Sequence, residues 1–530
     1  MNVDFIVVGA GGGGGAAAAV LAEAGRSVLL LERGEHLTPG DDAREHAAPV
    51  GAPVPGLTGD RFRARPLSAA NTPWTMLSAV GGGTLVWGMQ AWRFHPDDFR
   101  MASCYGTPTG SSLADWPIRY DDLEPWYTRA EVELGVAGAA TPYAPRSGRY
   151  PMQPLDPGPN AAWLAAGARR LGWSTLPPPL AVNSRAYGGR AECIRCNECV
   201  GFTCPTDAKN GSHNTFVPRA LLTRHCRLIT QAQATRVDTD GAGRVTGVEY
   251  VVTTERRRAR RIATARAVML AGGAIETARL LLLSTSRHHP FGIGNAHDQV
   301  GRHLQGHTYA AALGVRPPGV RTDSGGPGVA IATTAHNHGN PGIVGGGMMA
   351  DDFVKTPVTF WRTSLPPEVP RWGLANKRAM RELYLRVVDL RAPVQEVPTP
   401  DNRVTLHPRL RDSLGLPVAH LPGAVHPETV RTAMFMRGRL RAWLEASGAQ
   451  RTWFPPEHAR GLSDWFHQAG TCRMSEDPRD GVVDPSGRVH GHDNLFIADG
   501  SVHVTNGGFN PALTIIALAL RTANHAVRGL

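Results

Sequence analysis

Two groups of residues in this sequence have types and spacings that could do chemistry. Gly9, Gly11 and Gly14 stand at G-x-G-x-x-G spacing, with which a backbone turn makes room for the pyrophosphate of a dinucleotide. Cys193, Cys196, Cys199 and Cys204 run at C-x2-C-x2-C-x4-C, ahead of Pro205 and of Ala208-Lys209-Asn210. Four thiolates so close could hold an iron–sulfur cluster, although the ferredoxin pattern has a last interval one residue shorter, and zinc would accept the same ligands. Because the spacing is off register, a loop of structural thiols or a disulfide ranks ahead of the cluster, and the cluster ahead of zinc. Cys104, Cys226 and Cys472 are scattered, and an odd total of seven argues against a disulfide framework.

These residues need elements to position them. Residues 3–8 are an apolar, β-branched run that reads as a buried strand, an Ala-rich helix follows over Ala16–Ala24, and a second strand, Ser27–Leu31, ends at Glu32. In that βαβ context the glycines permit the tight turn, the helix N-terminus faces the pyrophosphate, and Glu32 can accept from ribose hydroxyls. NAD and FAD are equally compatible with this fingerprint. Farther on, Val245–Thr253 and Ile262–Leu270 read as strands flanking Arg256, Arg257, Arg258, Arg260 and Arg261 at a solvated hairpin tip. Glu382–Val394 and Asn402–Leu406 are strand-like, Pro427–Ser447 reads as a helix, and Asp41–Pro73, rich in Gly, Pro and Arg, reads as a long loop or lid.

Composition narrows the class. At 530 residues the chain is long enough for two domains, and 42% apolar with 19% charged residues describes a globular protein. The net charge of +11 comes from Arg spread over the whole chain, with Lys only at positions 209, 355 and 377, so nucleic acid is not an expected partner. No apolar run reaches a membrane span, and Met1–Val8 leads directly into the glycine turn instead of a secretory leader. The expected location is cytoplasmic.

Three further blocks decide between the dinucleotides. The first is Ala79-Val-Gly-Gly-Gly-Thr-Leu-Val-Trp-Gly88, followed by Arg93 and Pro96-Asp-Asp-Phe99. The second, after the strand Ala267–Leu270, is Ala271-Gly-Gly-Ala-Ile-Glu-Thr-Ala-Arg-Leu-Leu281. The third runs from His467 (HQAGTCRM) through Leu495-Phe-Ile-Ala-Asp-Gly500 to Gly507-Gly-Phe-Asn-Pro-Ala-Leu-Thr-Ile515. With the N-terminal fingerprint, and in the same order, these blocks resemble the glucose–methanol–choline (GMC) oxidoreductase family across the whole chain. The resemblance implies an α/β fold: a Rossmann-like FAD-binding domain from residues 1–45, 75–105, 230–300 and 465–530. It also implies an α+β substrate domain on an antiparallel sheet, with lid and cysteine insert, from 46–74, 106–229 and 301–464.

Carried over residue by residue, the resemblance implies that Gly9, Gly11, Gly14 and Glu32 hold the ADP half of FAD. Gly82, Gly83 and Thr84 would lie against the flavin and ribityl chain with Trp87 nearby, Val237 would offer a backbone contact on the adenine side, and Asp499 and Gly500 would reach the pyrophosphate and ribityl. Asn510 and Pro511 would close over the flavin's reactive edge. His467 matches the family's active-site histidine, and Asn510 its second position. An alcohol C–H becomes a hydride donor only as its O–H proton leaves, so histidine suits the base, while an amide can hold the oxygen without taking the proton. His490, His492 and His503 match no motif and read as loop histidines. The implied reaction is oxidation of a hydroxyl to a carbonyl by hydride transfer to flavin N5, with oxygen or another electron acceptor. The flanking text, Pro179-Leu-Ala-Val-Asn183 included, resembles bacterial members acting on sugars, glycosides and aminoglycosides. A non-sugar alcohol, a lyase that keeps the flavin as structure, and a membrane-associated catalytic subunit remain alternatives.

Overall fold

The computed structural model describes residues 2–37, 77–196, 199–254, 257–318, 326, 329–353, 355, 357–455 and 466–529. The Asp41–Pro73 loop and Arg256 lie outside them. Phe5–Val8 and all of Val28–Leu31 are buried, the continuous apolar character of strands covered on both faces. These strands, β1 (Asn2–Val8) and β2 (Val28–Leu31), join β3 (Cys226–Ile229), β4 (Ala232–Thr239), β5 (Val245–Thr253) and β6 (Arg258–Leu270) in the order β3-β2-β1-β6-β5-β4. Pairing is parallel from β3 through β6 and antiparallel from β6 to β4.

The long β6 serves two environments. Its first residues, through Thr264, pair with β5, and its apolar end, Val268–Leu270, sits between β1 and the parallel strand Leu495–Ile497. Of the expected arginine tip, Arg258, Arg260 and Arg261 belong to the strand itself, and Arg257 exchanges backbone hydrogen bonds with Thr254. Arg260 reaches across to Glu249 at 2.8 Å, which keeps the guanidinium on the solvated face of the pair.

Small residues let the first helix enter this sheet closely. Helix Gly12–Glu23 is buried from Gly13 to Ala22 and packs on helix Ala512–Gly529. A Cβ on Gly13 would stand 1.9 Å from the carbonyl oxygen of Ala498, a separation no side chain tolerates.

A second sheet is antiparallel in all its pairs. Its strands are β7 (Gln305–Val315), β8 (Ala332–Thr333), β9 (Met349–Asp351) and β10 (Val387–Gln395); β11 (Thr405–Arg411) and β12 (Pro417–His420) form a separate two-stranded hairpin packed on helix Ala274–Leu283, and β13 (Thr452–Trp453) and β14 (Phe466–Ala469) complete the second sheet. The order is β13-β7-β10-β9-β8, with β14 also on β7. Helix Pro427–Ala446 lies on β7 and β10 and buries Met436, Leu440, Trp443 and Leu444. The strand read at Glu382 begins instead at Val387, because Glu382 and Leu383 finish helix Gly373–Leu383. Asn402 likewise precedes β11, its side chain donating to Leu304 O at 2.7 Å. No helix among the described residues is long and apolar enough to cross a membrane.

Candidate active site

At the carboxyl ends of β1, β2 and β6, the two sheets meet around a cleft of about 400 Å³. This is where ligands sit in open parallel sheets. Gly9, Gly11, Glu32, Gly82, Gly83, Thr84 and Trp87 line it, as do Asp499, Gly500, Asn510, Pro511 and His467. Gly9 and Pro511, 502 positions apart in sequence, thus share one cavity wall.

The fingerprint glycines divide by role. Gly9 has φ +103, and a Cβ there would meet Ala271 O at 2.3 Å. Gly14 does not line the cleft; its Cβ would fall 1.9 Å from Gly9 O, so it seats the helix on the turn. A Cβ on Gly11 would meet only Gly82 Cα at 3.9 Å, and one on Gly83 nothing within 4 Å, so both backbones border open cavity. The N-terminus of helix Gly12–Glu23 opens on the same space, a favourable place for a pyrophosphate.

Two buried carboxylates brace the walls. Glu32 accepts from Ala10 N at 2.9 Å and Gly34 N at 2.8 Å, which holds the glycine turn against the end of β2, and burial pushes its carboxyl above the ordinary value. Asp499 accepts from Gly273 N and Ser501 N, each at 2.9 Å, and from the hydroxyls of Thr277 and Ser501, each at 2.6 Å. It ties strand Leu495–Ile497 to the start of helix Ala274–Leu283, and burial raises its carboxyl too. Thr84 anchors its loop by donating to Gly81 O and accepting from Ser212 N, and Trp87 donates to Asn210 O. Val237 stands outside the cleft with its N–H given to Ser284 Oγ; Ala232, Gln233 and Ala234 of the same strand line it instead.

His467 sits on β14 with φ +61, at the irregular register where β14 meets β7. Asn506 Nδ2 donates to its carbonyl at 2.7 Å. Its half-buried ring lines the cleft, and its Nδ1 lies 2.9 Å from Nδ1 of His307. Burial drives the His467 imidazole well below its ordinary value, and drives His307 down to about 4, so both are neutral at pH 7. Asn510 donates from Nδ2 to the Tyr309 hydroxyl at 3.3 Å, while its Oδ1 is buried with no protein partner. An acceptor in that state wants a donor from a bound molecule.

His307 and Tyr309 were not found from the sequence. They lie two residues apart on β7 and therefore on one face, a signal that alternation carries once the strand is known. His503, read as a loop histidine, is fully buried with Nδ1 3.0 Å from Asn506 Oδ1.

The four clustered cysteines are free thiols. Cys196 is exposed and the other three are partly buried; burial raises the Cys193 thiol, and that of Cys199 to about 12. Among the described residues no three His, Cys, Asp or Glu side chains are grouped as metal ligands. Lys209 donates to the carbonyls of Cys199 and Phe202 and so fastens the loop through its backbone.

The cleft fits FAD by its own chemistry: open glycine backbone at a helix N-terminus, a carboxylate in its wall at the end of β2, and a partnerless amide oxygen in the same lining as a neutral histidine. The sequence matches the GMC oxidoreductase family over residues 3–309 and 398–519. It is 33% identical to the 6'''-hydroxyparomomycin C oxidase of Streptomyces lividus, covering 98% of this chain and 90% of that one. It is 29% identical to the fructose dehydrogenase large subunit of Gluconobacter japonicus, covering 100% and 98%. The fold also superposes on the formate oxidase of Aspergillus oryzae with a TM-score of 0.62, at 16% identity, over 99% of this chain and 98% of that one. The chain belongs to the GMC oxidoreductase family and is an FAD-dependent enzyme that oxidises the CH–OH group of a small-molecule alcohol.

Proposed function

We propose that this enzyme oxidises a hydroxyl group of a sugar, glycoside or aminoglycoside to a carbonyl. The observation that carries the substrate class is the full-length likeness to proteins named for oxidising a paromomycin derivative and fructose. Residues 1–45, 75–105, 230–300 and 465–530 form the FAD-binding part in this reading, and the antiparallel sheet carries the substrate wall.

Gly9, Gly11, Glu32, Gly82, Gly83, Asp499, Gly500 and Pro511 hold the cofactor, with Gly14, Thr84 and Trp87 setting the shape of its walls. FAD supplies the hydride acceptor when bound. His467 takes the hydroxyl proton, which its neutral ring is ready to accept at pH 7. Asn510 holds the substrate oxygen by donating the Nδ2 hydrogen not given to Tyr309, since the cleft wall offers its amide together with His467.

Incubation with a pool of D-fructose, methyl glucosides and paromomycin-type aminoglycosides, followed by mass spectrometry, tests the substrate class. A product two hydrogens lighter than one member supports the reading. Turnover of aliphatic or steroid alcohols alone would replace it.

A further inference from the structure

The contact between His307 and His467 holds more information than its distance. A backbone carbonyl can only accept, and Gly507 O lies 2.8 Å from His307 Nε2, so that nitrogen carries a proton. His307 is wholly buried and neutral, so its other nitrogen, Nδ1, has only a lone pair to offer. That lone pair faces His467 Nδ1 at 2.9 Å. Two bare nitrogens at this separation would repel, so the proton between them sits on His467. The rings meet edge to face at 80°, with centroids 5.0 Å apart, which suits an in-plane N–H···N bond and not stacking.

We infer that His307 is a positioning residue that fixes the tautomer of His467: Nδ1 protonated, Nε2 left as the nitrogen that receives the substrate proton. The chain of contacts runs from Gly507 O through His307 to His467, and each member has one permitted role. Gly507 precedes Asn510 in the same turn, and Asn506 Nδ2 fixes the His467 carbonyl. One short segment thus sets the backbone of the base, its proton and the amide opposite it. The inference rests on the reading of His467 as the base, and it asks more of the protein than that reading does: a histidine in the other tautomer would present an N–H to the substrate and could take no proton. In catalytic triads of the Ser-His-Asp type, misplacing this proton costs on the order of 10⁴-fold with geometry intact.

The direct test needs no substrate. In ¹⁵N spectra of histidine-labelled holoenzyme, the unprotonated nitrogen of His467 is expected to be Nε2, with the resonance lost in His467→Ala to assign it. In His307→Leu, which removes the acceptor, that pattern should shift toward the opposite tautomer. His307→Gln, whose amide can still accept from Nδ1–H, should retain it. Assignment of the unprotonated nitrogen to Nδ1 in the unaltered enzyme would overturn the inference whether or not any variant folds. So would an unchanged tautomer in His307→Leu. With whichever sugar of the pool reduces the flavin, His307→Leu should slow anaerobic reduction by about 10²- to 10⁴-fold while keeping FAD, and His307→Gln should recover at least about tenfold of that. If His467→Ala abolishes reduction and His307→Leu stays within threefold of the unaltered enzyme, only the inference fails. If His467→Ala reduces normally, the base assignment itself fails.

Discussion

Replacing Asp499 by alanine should loosen the cleft in a measurable way. The side chain is 5% exposed and accepts four hydrogen bonds, two from backbone N–H groups and two from hydroxyls. The hydroxyls of Thr277 and Ser501 can rotate toward other acceptors, but the N–H groups of Gly273 and Ser501 cannot. The Ser501 N–H is buried and its loss of a partner costs about 1–3 kcal/mol; the Gly273 N–H borders the cleft, where water limits its cost to about 1 kcal/mol. These costs add to about 2–4 kcal/mol, and because burial raises the Asp499 carboxyl, removing it relieves some desolvation and leaves a net destabilisation of about 2–3 kcal/mol. At about 2.1 cal/mol/K per residue the whole chain unfolds with an entropy of about 1.1 kcal/mol/K, so the melting temperature should fall by about 2–3 °C. The variant should also lose FAD on gel filtration, because Gly273 and Gly500 border the cleft on either side of the carboxylate. Asp477→Ala is the control, since among the described residues the bonds of the Asp477 side chain go to its exposed neighbour Arg479. An Asp499→Ala protein that melts within 1 °C of the unaltered enzyme and keeps its flavin would refute the reasoning.

Other expected outcomes follow from the same geometry. His467→Ala should fold and retain FAD while flavin reduction slows by about 10²- to 10⁴-fold; rapid-mixing absorbance decides it, and an unaltered rate removes His467 as the base. Gly11→Leu should melt normally yet purify without flavin, as its Cβ has room and the rest must enter the cleft. Gly14→Ala should instead unfold at lower temperature, its Cβ being 1.9 Å from Gly9 O, and equal melting of the two would contradict the division of roles. Stability should fall as pH drops from 6.5 toward 4. Burial holds His213 to about 3, His303 to about 2, and His307, His492 and His503 to about 4, so over this window the unfolded chain binds more protons. Each such group contributes a slope of up to about 1.4 kcal/mol per pH unit. Asp351, raised by burial to about 7, opposes this, as do the raised carboxyls of Glu32, Asp207 and Asp499, but the five histidines together with His467 outnumber them. Urea titrations at pH 7 and pH 5 giving equal midpoints would refute the assignment.

The sequence is most legible where neighbours in the chain are neighbours in space. The run 3–8, the glycine turn, the helix after it and Glu32 form one local unit, and the structure places them together as read. The C-terminal block was legible as a motif, but the structure alone shows that its histidine rides on a strand of the second sheet. His307 escaped notice because its meaning depends on pairing with a residue 160 positions away. Val237 lies outside the cleft that Ala232–Ala234 of the same strand line, because spacing does not say where a strand crosses a cleft. The start of β10 shifted because helix Gly373–Leu383 claims residues whose types suit either state. For the cysteines, intervals in sequence do not report whether four sulfurs converge, and these remain free thiols on a loop held by Lys209.

The visible absorption spectrum of the purified enzyme under anaerobic conditions, before and after adding the sugar and aminoglycoside pool, tests the central claim most directly. The account predicts flavin bands that bleach on addition, and bands that no member of the pool bleaches would contradict the oxidation of a sugar hydroxyl.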